Sequence, residues 1–434
     1  MLMEEKFPIF TEEMKKTHTI LVPNMLPVHF SLIGSIMEQE GYKVHILDNE
    51  GPEIVDAGLK YVHNDMCYPA IIVIGQMIAA LNSGKFDVDK TALLISQTGG
   101  GCRASNYLHL LRKALVKAGY PQVPVISINV SNLSPQPGFK LTPSLVFKAM
   151  TAVIVGDFIM MIKNQCEPYE KNSGDTQKVV DKWHDFFLKR WEKTGVTPFG
   201  KLKKYFRQML CDFAEIPMDR SPRPRVGIVG EIFVKYAPVG NNHLEEFLVS
   251  EGAEVVVPGL LDFCLYCVYN SIVDHKLYGG SAVKTTGVKL VYRYLINMQN
   301  KMYAIVKDHG VFRAPLGFDD KKDLTEKYIG QGVKMGEGWL LTSEMAELIK
   351  EGVTNIVCTQ PFGCLPNHIV AKGMENKIKA IHPEANIVAV DYDPGASKVN
   401  QQNRIKLMLA NAKTPESKHE EVKPNIYTGK NINM

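Results

Sequence analysis

The chain lacks an excess of charge of either sign. Its 50 Lys and Arg against 46 Asp and Glu leave a net +4 spread along 434 residues. Such a balance offers no basic face to nucleic acid. The first residues, Met1-Leu2-Met3-Glu4-Glu5-Lys6, show no basic patch leading into an apolar run, so no secretory leader is expected. Long uncharged apolar runs are missing too. The longest, Leu145 to Ile162, contains Lys148 and Asp157 and adjoins Lys163, which in lipid would be costly. A buried or amphipathic helix is expected there, not a membrane span. No G-x-x-x-x-G-K-[ST] loop is present, and Gly227-Ile228-Val229-Gly230 is not a dinucleotide fingerprint. No repeat of fixed period and no second Cys-x-x-Cys or His pair occurs, so a compact structural zinc site is not expected.

Apolar residues are plentiful. A 45% hydrophobic, 22% charged chain of this length carries two or three domains with large cores and needs no disulfide staples. Reduced thiols in the cytoplasm are the expectation. Short β-rich runs alternate with helical patterns in two blocks. Thr19 to Pro23, Tyr42 to Leu47, Ala92 to Ser96 and Val123 to Ile128 form the first set of strands; Arg225 to Val229, Glu254 to Val257, Asn355 to Thr359 and Asn386 to Val390 form the second. The alternation predicts parallel sheets with helical crossovers. The fold class is therefore α/β: a Rossmann-like, doubly wound lobe over 1–165, a helical bridge and linker over 166–222, a second such lobe over 223–411, and a polar tail over 412–434.

Six of the eight cysteines fall where such lobes gather their loops. Cys67, Cys102 and Cys364 each precede a helical pattern, with Pro69 and Pro366 suited to a first turn. Helix N-termini favour a thiolate, the form that binds metal. Cys358 ends a predicted strand, and Cys264 and Cys267 form a Cys-x-x-Cys just after another. Each cysteine alone can also be a small buried hydrophobe. Thiolates from several distant loops suit an iron–sulfur centre. Cys166 and Cys211 lie in the bridge and read as structural. The Cys-Tyr-Pro at 67–69 and Cys-Leu-Pro at 364–366 look like analogous strand-to-helix positions of two related lobes.

Three longer stretches carry a resemblance: Gly336-Glu337-Gly338-Trp339-Leu340-Leu341-Thr342-Ser343-Glu344-Met345, Gln360-Pro361-Phe362-Gly363-Cys364-Leu365-Pro366-Asn367-His368 and Asp391-Tyr392-Asp393-Pro394-Gly395-Ala396-Ser397. With Glu231-Ile232-Phe233-Val234 and the Cys67 and Cys102 loops, they resemble the 2-hydroxyacyl-CoA dehydratase and benzoyl-CoA reductase component family. The likeness is to the C-terminal part of the large acyl-CoA dehydratase activases and to double-cubane cluster proteins, over most of residues 18–411. It implies an oxygen-sensitive iron–sulfur oxidoreductase, a homodimer, fed low-potential electrons by a separate ATP-hydrolysing iron–sulfur activator. The activator portion of the fused activases has no counterpart in this sequence. A double-cubane 8Fe-9S cluster calls for six cysteines, expected as Cys67, Cys102, Cys264, Cys267, Cys358 and Cys364, and reduction of small molecules is the function it implies. Alternatives are a 2-hydroxyacyl-CoA dehydratase-type subunit with a 4Fe-4S cluster on three cysteines and one open iron, and a non-catalytic electron relay or cluster carrier.

Polar residues beside these cysteines complete the expected site. Glu231 follows a strand and is a proton donor or substrate ligand, or else caps the helix near 242 or pairs with an Arg. His368 sits in the turn after Cys364 as a donor to cluster or substrate, or as a surface histidine. Gln360 and Asn367 are placed to hydrogen-bond a cluster and tune it. Asp391 to Ser397 is a backbone phosphate site or a tight turn.

Overall fold

The protein is described from a computed structural model covering residues 7–97, 101–128 and 136–412. The tail expected over 412–434 lies, from 413 onward, outside the described residues. Two four-stranded, wholly parallel sheets are present. The first holds β1 (Thr19–Val22), β2 (Lys43–Ile46), β3 (Thr91–Ser96) and β4 (Val125–Ile128), and the second β5 (Arg225–Gly230), β6 (Glu254–Val256), β7 (Asn355–Pro361) and β8 (Asn386–Tyr392). Their orders, β2-β1-β3-β4 and β6-β5-β7-β8, are the same topology written twice. Both are Rossmann-like, as the alternation predicts.

These strands are apolar on both faces because helices cover both faces. Ile20, Val22, Ala92, Leu94 and Ile126 point into one core, while Leu21, Leu93, Ile95 and Val125 point into another. The second core also takes Val226, Ile228 and Val357, so it runs continuously from lobe to lobe. At its centre lies the helix Tyr68–Asn82, buried almost residue for residue. An all-round apolar helix has no solvent face to present.

The shared topology corrects the expected equivalence of cysteines. Cys364 follows β7, and its counterpart is Cys102, which follows β3; Cys67 lies within the β2-to-β3 crossover, after the helix Pro52–Tyr61. The Cys-Tyr-Pro likeness was local. The bridge is also larger than 166–222, because the helices Pro143–Cys166, Asp175–Thr194 and Phe199–Ala214 share a core with Leu260–Tyr278 and Ala282–His309. Pro143–Tyr169 is long and apolar enough to cross a membrane, but 67% of its most apolar window is buried inside the protein. It is the central helix of that core.

Asp157, the charge that interrupts this helix's apolar run, holds three elements together. One carboxylate oxygen accepts from Leu260 N–H at 2.8 Å and lies 2.8 Å from His29 Nε2, and the other accepts from Leu261 N–H at 2.8 Å. The first lobe, the central helix and the start of Leu260–Tyr278 thus meet on one buried side chain. Their approach leaves no room for a Cβ at Gly156, which would stand 2.4 Å from His29 Cδ2. Asp157→Ala would orphan two N–H groups and a histidine in the core. We expect it to cost about 3–5 kcal/mol, the usual penalty for breaking a buried pair, read from the midpoint of denaturant unfolding. A shift of under about 1 kcal/mol, in the range of a surface pair, would contradict this account of the junction.

Candidate functional site

The carboxyl ends of β1, β3, β5 and β7 face one cavity of about 710 Å³ between the lobes. Crevices at that edge are where open α/β sheets place their ligands. Three cysteines line it, each at a helix N-cap: Cys67 before Tyr68–Asn82, Cys102 before the turn Arg103–Asn106, and Cys364 before Leu365–Val370. Close backbone contact sets their spacing. Tyr68 N–H donates to Phe362 C=O at 2.9 Å, which ties the Cys67 loop to the Cys364 loop. Gly363, at φ 71°, leaves 3.0 Å between the position of a Cβ and both Cys67 Cα and an Arg103 nitrogen. Any side chain there would force the loops apart.

Helix N-termini favour thiolates, yet here burial wins. Desolvation pushes the Cys102 thiol up to about 11, and it raises Cys67 and, more strongly, Cys364. The carboxyls of Glu231 and Glu337 add to the rise at Cys102 and Cys364. Burial thus opposes the ionisation that the helix ends favour, and at Cys67 the nearby Arg103 works against burial. Tyr107, a buried residue missing from the expected site, lies with its hydroxyl 3.1 Å from Cys67 Sγ.

Glu231 also lines the cavity and caps a helix other than the one near 242. Its side chain accepts from Val234 N–H at 2.9 Å, at the start of Ile232–Tyr236. Glu337 accepts from Ile232 N–H at 3.0 Å in the same helix start. Burial, and then repulsion from Glu337, pushes the Glu231 carboxyl up to about 8, and burial raises Glu337 as well. Burial and mutual repulsion both favour the protonated form in this pair. Glu337 was not singled out in the sequence; its signal was the Gly-Glu-Gly that opens a buried helix. His368 lines the cavity from the exposed side, and its Nδ1–H donates to Cys364 C=O at 2.7 Å.

The other expected residues lie elsewhere. Cys358 is fully buried on the opposite face of β7, among Leu341, Met345 and Ile356, because side chains alternate along a strand. Asn367 is turned toward it, accepting from Cys358 Sγ at 3.5 Å and donating to Thr359 C=O at 2.9 Å, and so has no place on the cavity wall. Gln360 is buried off the cavity, with no hydrogen-bond partner for its amide among the described residues. Cys264 and Cys267 lie within Leu260–Tyr278: the first packs against the central core, and the second is exposed. Cys166 is buried, and Cys211 is exposed. Asp391 and Tyr392 end β8, and a tight turn follows in which Asp393 accepts from Gly395 N–H at 2.7 Å.

The cavity is otherwise greasy. Met25, Phe30, Ile33, Met37, Ile46 and Ile128 form its wall in the first lobe, and Arg103 and His368 are the basic residues on its lining. The arrangement defines a two-lobed α/β protein with a thiol-lined chamber in the seam. No protein-family model, curated protein or solved structure matches the chain.

Glu231 yields a stability test. Its carboxyl ordinarily titrates near 4.5 and is raised to about 8 in the folded state, so the native protein binds the extra proton. That contribution is complete below about 4.5 and is lost as pH rises through 8. The denaturation midpoint should fall across this window, and the fall should be shallower in Glu231→Gln. Parallel pH profiles for the two proteins would count against the proton-holding pair.

Proposed function

We propose that this protein is the cluster-bearing component of a reductive enzyme, a cytoplasmic oxidoreductase that holds an iron–sulfur cluster on Cys67, Cys102 and Cys364. The observation that carries the reading is the convergence of three N-cap thiols from both lobes on one cavity. Among the described residues no three His, Cys, Asp or Glu side chains gather as they would around a single metal ion. Ligands of a cubane each bind a different iron and stand further apart, so this donor set fits a cluster better than a lone ion. The thiols are soft donors, and the Tyr107 hydroxyl beside Cys67 is a partner of the kind that tunes ligand sulfur. Three thiols support a 4Fe-4S centre over the six-cysteine double cubane, since Cys358 is walled off behind β7 and Cys264 is packed against the central core.

Such a cluster would supply low-potential electrons and one iron without a protein ligand. The chain's own residues do the rest. The apolar wall excludes water, Glu231 and Glu337 are acids whose protonated forms burial favours beside the thiols, and His368 lines the cavity at its exposed side. Substrates are small molecules with an apolar body, because among the described residues Arg103 is the one guanidinium on the lining and offers little to the phosphates of a CoA. Electrons come from a separate ATP-hydrolysing activator. Exposed Phe362, Leu365 and Met335 on the cysteine-bearing loops and their neighbour form a surface suited to docking it. Exposed Tyr278, Val283, Leu290 and Val291 on the long helical hairpin support a homodimer. All eight cysteines are free, which suits a reducing compartment.

Protein purified without oxygen should carry about four irons per chain, whereas a double cubane would bring about eight. Cys102→Ser should lose the iron; Cys358→Ser and Cys211→Ser should keep it. With activator, ATP and reductant, small unsaturated substrates should turn over in preference to 2-hydroxyacyl-CoA thioesters. Equal iron in all three variants, or zinc in place of iron, would overturn the cluster assignment, and selective thioester turnover would move the function to a dehydratase.

A further inference from the structure

The helix Pro27–Gln39 serves two neighbours with two faces. His29, Leu32 and Ile36 turn to the central core, where His29 meets Asp157. Phe30, Ile33, Gly34 and Met37, at the i, i+3, i+4 and i+7 spacing of a single helical stripe, line the thiol chamber instead. Opposite this stripe stands a residue from each strand of the first sheet: Ile46 of β2, Val22 of β1, Leu94 of β3 and Ile128 of β4. Val22 and Ile46 are paired in register, and Val22 and Leu94 share a core face. The chamber therefore has an annex, with a helix for its roof and the carboxyl end of a sheet for its floor. Among the described residues neither the stripe nor the row below it carries a polar side chain; the thiols, the acids, Arg103 and His368 reach the chamber from other segments.

A helix laid on a parallel sheet ordinarily closes the space between them, because protein interiors hold few voids larger than a water molecule. Here the closure is partial. At the edge strand β2 the helix lies so close that a Cβ on Gly34 would stand 3.3 Å from Ile46 Cδ1. Phe30, Ile33, Ile46 and Ile128 nevertheless stay only half-buried, with the chamber of about 710 Å³ beside them. An apolar cavity of about 150 Å³ takes up benzene or xenon. A body of that size would occupy only part of this chamber, and the thioethers of Met25 and Met37 on its wall adapt readily to the shape of what they touch.

We propose that the annex is the subsite for the uncharged hydrocarbon part of the substrate, a body about the size of a benzene ring, and that Ile33 and Ile128 set its size limit. A carboxylate, ammonium or phosphate placed there would lose its hydration with no polar side chain to replace it. The reacting part of the molecule is left to the segments that carry the thiols and acids. The subsite rests on the reductive reading only for what happens to the molecule once it is bound.

Calorimetry of the iron-free full chain with toluene tests it apart from turnover. About one toluene per chain should bind, and xenon pressed into crystals should lie against Phe30, Ile33 and Ile128. I33F fills the annex from the roof and I128F from the floor. Each should weaken toluene binding about 10-fold or more while the unfolding midpoint holds or rises, because the added carbons enter apolar space. No toluene binding by the parent, xenon only elsewhere, or variants that fold and bind as the parent does would overturn the subsite. Midpoints lowered in both variants would overturn it too, as the mark of overpacking in a closed layer. Toluene uptake that vanishes as the protein self-associates would assign the annex to a second copy of the chain, against the proposal. Where one variant fails to fold, the other decides. In the iron-loaded protein with activator and ATP, I128F should keep its iron and raise KM for styrene more than it changes kcat; a KM equal to the parent's would count against the subsite. A parent protein that binds no iron would end the reductive reading and leave the toluene result to stand alone.

Discussion

One carboxylate fixes how the two lobes stand relative to each other. Asp157 sits in the middle of an apolar helix and answers to His29 on one side and to the first N–H groups of Leu260–Tyr278 on the other. Hydrophobic contact alone would let these helices slide, since dispersion and burial are not directional. Three short hydrogen bonds to one buried group are directional, and leaving any of them unmade costs more than making it gains. The chamber between the sheets inherits its shape from this junction. Met25 and Phe30 on its wall belong to the loop and helix around His29, and Glu337 follows Gly336, whose C=O accepts at 3.0 Å from Tyr266, in the second turn of the helix that Asp157 caps.

Inside the chamber, desolvation decides the chemistry. The positive end of a helix is worth a fraction of a kcal/mol to about 2 kcal/mol to an anion. Three thiols and two carboxyls in one buried space face a far larger cost if they all ionise. Burial therefore favours their protonated forms, and any cation bound there would have to displace protons.

Much of this was legible in the sequence. Parallel strands covered on both faces are near-continuous apolar runs bounded by turn residues, and all eight fall within a residue or two of where those runs begin. The cysteines at 67, 102 and 364 were readable as helix starts because proline or a polar turn follows each of them. Period-two alternation could not place Cys358, since both faces of β7 are buried and neither is marked as facing a cavity. The helix Pro52–Tyr61, which separates Cys67 from β2, was not anticipated, and so the wrong pair of cysteines looked equivalent. Lys321 stands in Asp319-Asp320-Lys321-Lys322-Asp323, which has the composition of a solvated turn, and is buried because Asp262 and Glu347 reach it from distant parts of the chain. Such long-range pairing leaves no local trace.

The three thiols of the chamber lie across the seam between the lobes. Cys67 and Cys102 belong to one lobe and Cys364 to the other, with the hydrogen bond from Tyr68 to Phe362 stitching the loops between them. Whatever bonds to all three sulfurs is a rivet through two plates. Its affinity includes the work of holding the plates at the right angle, and that angle is set at the Asp157 junction. A substitution in the helical core can therefore change how tightly the rivet is held without altering a single atom of the chamber that receives it.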